Sequence, residues 1–210
     1  MKPFAGLASF KRVLCLGAHS DDIEIGAGAT LLRLQQESPG VAIRWACFSG
    51  GGTSREAEAT QSAAAFTAGA AAVSVHAFRD TAFPSQLADI KAAMNDLKSF
   101  EPDLVLTHSA DDRHQDHRAI NELTWNAFRA HQVWEYEIPK WDGDLQRPNL
   151  YVPASPEAMA AKIDLLLKHF GTQRSKHWFD EETFRALARL RGLECNARYA
   201  EAFVIRKLVV

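Results

Sequence analysis

The chain has 210 residues, of which 47% are hydrophobic and 24% charged, with a formal net charge of -2. That balance, with length enough to bury one sizeable core, excludes a disordered, fibrous or collagen-like chain. The near-neutral charge also leaves no basic face for binding nucleic acid in bulk, although a few arginines suffice to hold the phosphate of a small molecule.

Taken in chain order, residues 1–10 hold no long apolar run, and the first apolar stretch, Val13 to Ala18, is far too short for a signal-peptide core or a membrane span. Arg12 to Gly17 reads as the first strand, followed by a helix from Asp22 to Glu37 with Ile25 and Leu32 on one face; Pro39 and Gly40 end it. Ala42 to Phe48 is a second strand. Thr53-Ser-Arg-Glu56 has the form of a capping box and opens an alanine-rich helix. Val73 to Phe78 is a third strand. From Ser85 onward Leu87, Ile90, Met94 and Leu97 recur at helical spacing and stop before Pro102. Asp103 to Thr107 is a fourth strand, followed by a polar loop and an amphipathic helix. Gln132 to Ile138 reads as another strand and Trp141 to Pro153, with its Asp-Gly turn, as an ordered loop. Ser155-Pro156 caps and starts a helix ending at Gly171, Asp180 caps one ending at Gly192, and Ala200 to Val204 closes as a strand.

Strand and helix alternating at this spacing imply right-handed crossovers. The expected fold is α/β: a Rossmann-like, mostly parallel sheet with helices on both faces. No linker, internal repeat or low-complexity segment interrupts the chain, so residues 1–210 are expected to form a single domain. Cys15, Cys47 and Cys195 show no CxxC spacing, and the first two fall in strand-like runs, which marks them as inert core thiols rather than ligands. The expectation is a cytoplasmic protein.

The segment VLCLGAHSDDIEIG runs off the first strand straight into the first helix, and open parallel sheets bind ligands at such strand ends. His19 and Asp22, three residues apart, can face one point, while Asp21 between them faces elsewhere and stays available for proton transfer. Imidazole nitrogen and carboxylate oxygen are suitable donors for zinc. A plainer reading has Ser20 or Asp21 simply cap the helix. A third, dinucleotide binding at Gly26-Ala27-Gly28, fails on two counts: position 31 is Leu31 instead of glycine, and the glycines fall inside the helix. Close helix–sheet packing is the expectation there.

The segment DLVLTHSADDRHQDHRAI repeats the layout of strand, polar loop and helix about one hundred residues later. Alone, a loop rich in Asp and His can be a solvated turn. Together the two loops lie at strand carboxyl ends, hence at one edge of the sheet, and one histidine of the second loop completes a His, Asp, His set with an open position for water. The same donors also suit Fe(II) in an oxygenase, and a non-catalytic carbohydrate-binding protein on the same scaffold is a further alternative.

AHSDDIEIGAGATL (residues 18 to 31), His114-Gln115-Asp116-His117 and the late YAEAF (residues 199 to 203) resemble the hallmarks of the LmbE-like, or PIG-L, family of metal-dependent N-deacetylases, and the resemblance spans almost the whole chain. It implies that His19, Asp22 and His117 hold the metal, Zn2+ or Fe2+. It further implies Asp21 as general base, a protonated His114 stabilising the oxyanion, and Asp116 supporting His114. Ser20 stands where the family usually has proline, and Asp112 where some members have tyrosine. The implied activity is removal of an N-acetyl group from an amino sugar, such as an N-acetylglucosamine-type conjugate or a nucleotide sugar.

Arg55, just beyond the second strand at the same edge, is a candidate for binding a substrate hydroxyl or phosphate. The segment around WEYEIPKWDG offers Trp134, Glu137, Lys140 and Trp141 as a sugar-binding wall, since aromatic faces suit the apolar faces of sugars. The same tryptophans would equally serve as a lid or as a contact in a homo-oligomer.

Overall fold

A computed structural model describes residues 6–209. Seven strands form one sheet: β1 (Arg12–Gly17), β2 (Ala42–Cys47), β3 (Ala71–Val75), β4 (Leu104–His108), β5 (Gln132–Tyr136), β6 (Leu150–Ala154) and β7 (Tyr199–Val204), in the order β3-β2-β1-β4-β5-β7-β6. The first five pair in parallel; β7 runs antiparallel to both β5 and β6. Six helices cover it: α1 (Asp22–Glu37), α2 (Ser54–Phe66), α3 (Leu87–Asp96), α4 (Gln115–Ala127), α5 (Pro156–His169) and α6 (Glu181–Glu194). None of the described helices is long and apolar enough to cross a membrane.

A central parallel strand is buried on both faces and therefore reads as a continuous apolar run. In β1 this is Val13-Leu14-Cys15-Leu16, all fully buried. Its side chains alternate between two cores. Val13 and Cys15 join Trp45, Trp134 and the apolar faces of α1, α2, α5 and α6. Leu14 and Leu16 join Val105, Val133 and residues of α3 and α4 on the other face.

From β1 the chain moves outward through β2 and β3, then crosses back to place β4 on the opposite side of β1. The loops after β1 and β4 thus lead to helices on opposite faces and leave a crevice at the strand carboxyl ends, the place where this architecture binds ligands.

Several boundaries differ from the sequence reading. The third strand starts earlier, at Ala71, because Ala71 and Ala72 pair in register with Ile43 and Arg44 on an edge strand that needs no bulky side chains. A strand, β6, lies within the stretch expected to be a loop; its Pro153 is tolerated because β6 is the sheet edge. Helix α6 continues past Gly192 to Glu194. Gly192 is not a helix stop but a contact point: a Cβ there would lie 2.8 Å from the backbone of Arg198. Gly26 has the same character, since a Cβ would fall 2.3 Å from the ring of Tyr136, so the small residues of α1 are seats for close packing.

One polar cluster is built into this packing. Glu201 of β7 accepts hydrogen bonds from the amides of Ala29 (2.9 Å) and Thr30 (2.6 Å) in the middle of α1. Lys162 of α5 completes it, donating to the carbonyl of Ile25 and to Glu201, each at 2.6 Å. All of its charged and backbone groups are thereby partnered, as buried polar groups require.

Candidate metal centre

The loop after β1 brings His19 and Asp22 to the crevice, and the first turn of α4 brings His117. His19 Nδ1 lies 3.1 Å from His117 Nε2 and 3.3 Å from Asp22 Oδ2, and His117 Nε2 lies 3.5 Å from Asp22 Oδ1. Donors about 2.0–2.2 Å from a tetrahedral zinc are themselves separated by roughly 3.3–3.6 Å, and the three side chains approach that spacing, with Asp22 facing the two histidines through different oxygens. All three are largely buried; the His19 side chain is the most open at 13%.

The electrostatics call for a cation at this point. Two bare imidazole lone pairs facing each other repel, so they share either a proton or a metal. Burial and the neighbouring His108 push His117 down to about 3, so it is neutral. His19 is held above its ordinary value; burial opposes this, and Asp22, Asp116 and Asp80 outweigh it. Asp22 lies well below the usual carboxylate range, its burial outweighed by His117, His108 and His19. A divalent ion would take the place of that shared proton, and the nitrogen and oxygen donors fit zinc or ferrous iron.

Acidic and histidine side chains surround these donors, the kind of outer groups that orient metal-ligating histidines. His117 Nδ1 is 2.8 Å from Asp112 Oδ2, so Nε2 is left to face the centre. His19 Nε2 is 2.9 Å from Asp80 Oδ1 and 3.5 Å from Asp116 Oδ2. The backbone N–H of His19 donates to Asp22 Oδ2 at 2.6 Å. Beneath the site, the fully buried His108 places Nε2 3.2 Å from Asp22 Oδ2 and stacks its ring on His117 with centroids 3.9 Å apart. Asp80 and His108 carry no role in the sequence reading. Only their positions, Asp80 in the loop after β3 and His108 at the end of β4, on the same edge as the motif residues, signal them.

Asp21 does not use its side chain as a helix cap. Its Oδ1 accepts from Arg55 Nη2 at 2.6 Å, and Arg55 also donates to Thr172 at 3.3 Å. Burial would lower the Arg55 guanidinium, but Asp21 raises it. His114 caps α4: its Nδ1 accepts from the amide of Asp116 at 3.2 Å. A ring that accepts at Nδ1 carries its proton on Nε2. Burial, with His19 adding to it, holds His114 below its ordinary value. Both features work against the protonated imidazolium expected from the sequence and favour an Nε2–H directed away from the helix. Asp116 supports His114 through its backbone amide, while its carboxylate accepts from the amides of Thr81 (2.7 Å) and Phe83 (3.0 Å), anchoring the loop after β3 and facing His19.

These groups open into a cavity of about 340 Å³ whose walls include His19, Asp21, Asp22, Arg55, His114 and His117, with Lys140, Trp141 and Trp178 on the far side. Trp141 is 66% exposed and stacks on His177, with centroids 5.6 Å apart. Two residues of the expected sugar wall lie elsewhere. Trp134, as an inward residue of β5, is buried against Phe10 and Phe203. Glu137 is buried and clamped by Arg191 at 2.6 and 2.8 Å, outside the cavity.

The geometry is that of an α/β fold whose candidate metal-binding side chains converge at the β1/β4 switch point. The profile of the PIG-L family (GlcNAc-PI de-N-acetylase) matches residues 14–128. The chain belongs to that family. It is 31% identical over 172 residues to a protein of Escherichia coli strain K12 described as uncharacterized deacetylase YaiS, covering 76% of this chain and 90% of that one. Among solved structures, N,N'-diacetylchitobiose deacetylase from Pyrococcus horikoshii matches with a TM-score of 0.74 at 22% identity, over 94% of this chain and 84% of that one. The 4-carboxy-2-hydroxymuconate hydratase GalB from Pseudomonas putida KT2440 shares the fold with a TM-score of 0.76 at 19% identity, over 95% and 98%. The fold therefore hosts more than one reaction, and the chemistry has to be argued from the site.

Proposed function

We propose that this chain is a zinc-dependent hydrolase that removes the N-acetyl group from an amino sugar or amino-sugar conjugate. The observation that carries the reading is the convergence of His19 Nδ1, Asp22 and His117 Nε2, within 3.1–3.5 Å of one another, on the cavity that Asp21 and His114 also line. Family membership and the likeness to a deacetylase of Escherichia coli support it.

When bound, the metal polarises the amide carbonyl and makes a water acidic enough to ionise near neutral pH. Asp21 accepts the proton of that water, held in place by Arg55. His114 offers its Nε2–H to the carbonyl oxygen as charge builds there; one such donor contributes roughly 3–4 kcal/mol to the transition state. Asp21 then returns the proton to the departing amine. Trp141, with its exposed face at the cavity mouth, suits the apolar face of a sugar ring. The remaining Arg55 N–H groups suit a sugar hydroxyl.

The test is acetate release from a panel of N-acetylated amino sugars by zinc-reconstituted protein and by its Asp21→Asn variant. Release by the wild type alone supports the reading. Full activity in Asp21→Asn with zinc bound removes Asp21 as base, and oxygen consumption in place of acetate release would favour the iron alternative.

A further inference from the structure

Lys140 lies on the cavity wall, yet its ammonium is already engaged. It is 3.0 Å from Asp112 Oδ1 and 2.6 Å from Asp144 Oδ2, and its side chain is only 9% exposed. The other oxygen of Asp112 is the one 2.8 Å from His117 Nδ1. Asp144, Lys140, Asp112 and His117 thus form an unbroken line from the loop after β5 to the metal-facing nitrogen.

We propose that Lys140 is a positioning residue of the metal centre, acting through Asp112 on His117. The proposal rests on the assignment of His117 as a ligand.

Three contacts orient Asp112. Oδ1 accepts from the amide of His114 at 2.8 Å and faces Lys140, while Oδ2 faces His117. The amide contact alone leaves the carboxylate free to turn about that bond; the ammonium on the same oxygen removes this freedom. Without the cation, Asp112 and Asp144 would be two buried carboxylates around an empty position, repelling each other at the place where His117 needs a fixed acceptor. An exposed pair would do little here, because water screens exposed ion pairs. This one is nearly closed to solvent. Two of the three N–H groups of Lys140 face carboxylates, so its main engagement is with Asp112 and Asp144 rather than with the cavity.

Loop and ligand are tied a second time. Asp144 Oδ2 also accepts from the amide of Arg113 at 2.7 Å, one residue from Asp112. The segment that carries Trp141 at the cavity mouth is therefore braced directly against the ligand loop.

The experiment is zinc affinity measured without substrate, by chelator competition, for the wild type, Lys140→Met, Lys140→Arg and Asp112→Asn, with melting of the zinc-free proteins as a check on folding. Outer partners of ligating histidines are worth about 10–100-fold in affinity, so Asp112→Asn is expected in that range and Lys140→Met at about tenfold or more. Lys140→Arg, which keeps the charge between the two carboxylates, is expected to stay close to wild type. A cobalt-substituted Lys140→Met should show an altered visible spectrum, because the ligand field at His117 changes. Should methionine prevent folding, the shorter neutral Lys140→Gln carries the same test. Wild-type zinc affinity in the neutral variants overturns the proposal, even if KM rises, since that pattern belongs to a substrate contact. A wild type that binds no zinc overturns the centre and the proposal with it.

Discussion

Arg55 and Asp21 meet across the carboxyl ends of β2 and β1 in an ion pair of 2.6 Å. Arg55 is thus a partner of the proposed base as well as a wall of the cavity. Arg55→Ala is expected to lower kcat on the order of 100-fold, the scale of a misplaced catalytic group, while zinc affinity stays unchanged. Steady-state kinetics beside a metal titration would check this. A rise in KM alone would make Arg55 a substrate contact only.

A neutral His114 donor would give a distinctive pH signature. An imidazolium would lose its proton, and the enzyme its activity, as pH rises through its pKa. With its pKa held below the ordinary value by burial, and Nδ1 occupied by a backbone amide, His114 keeps the same Nε2–H on the alkaline side. The expected kcat profile shows no loss from His114 between about pH 7 and 8, and His114→Ala costs on the order of 10²–10³ in kcat.

Metal removal should register in stability as well as in activity. An ion that binds only the folded chain stabilises it by about 2.7 kcal/mol at a free concentration of 100 Kd. Chelation is expected to lower the melting temperature, and zinc to restore it. In His117→Ala that zinc-dependent shift should shrink or vanish.

The Lys162–Glu201 pair predicts a large stability effect far from substrate. Both side chains are about 5% exposed or less. Removing one partner leaves the other charged and buried, at a cost of about 3–5 kcal/mol. Lys162→Met should show that loss in urea unfolding, and the double variant Lys162→Met/Glu201→Gln should recover part of it.

Thiol chemistry offers a simple check of the core. Cys15 and Cys47 are buried, and burial pushes both thiols well above their ordinary range. Cys195 is partly exposed. A thiol reagent should modify Cys195 alone in the native protein, and Cys15 and Cys47 only after unfolding.

The parts of this protein visible in its sequence are those with a local signature. The apolar run of β1, the caps of α2 and α5, and the paired histidine and aspartate motifs are each read within a few residues. Their meeting at one edge follows from the parallel sheet they imply. What escaped depends on distant partners. Strand β6 exists because Leu150 to Ala154 pair with β7, about fifty positions away. Glu137 follows β5 toward the cavity edge, and Arg191 on α6, with the amide of Gln146, turns it aside. Asp80 gains its place beside His19 from the Asp116 anchor on its loop, a contact with no counterpart in local spacing.

The clamp of Glu201 on Ala29 joins residues 172 positions apart. A ribosome releases the N-terminal part of a chain first. The helix carrying Asp22 is therefore exposed well before the carboxylate that secures its middle has been synthesised. Nascent chains that have not yet reached β7 would hold the sequence of the metal-binding motif without its final support. A chain that ends before β7 is thus expected to leave the middle of α1 without its buried acceptor.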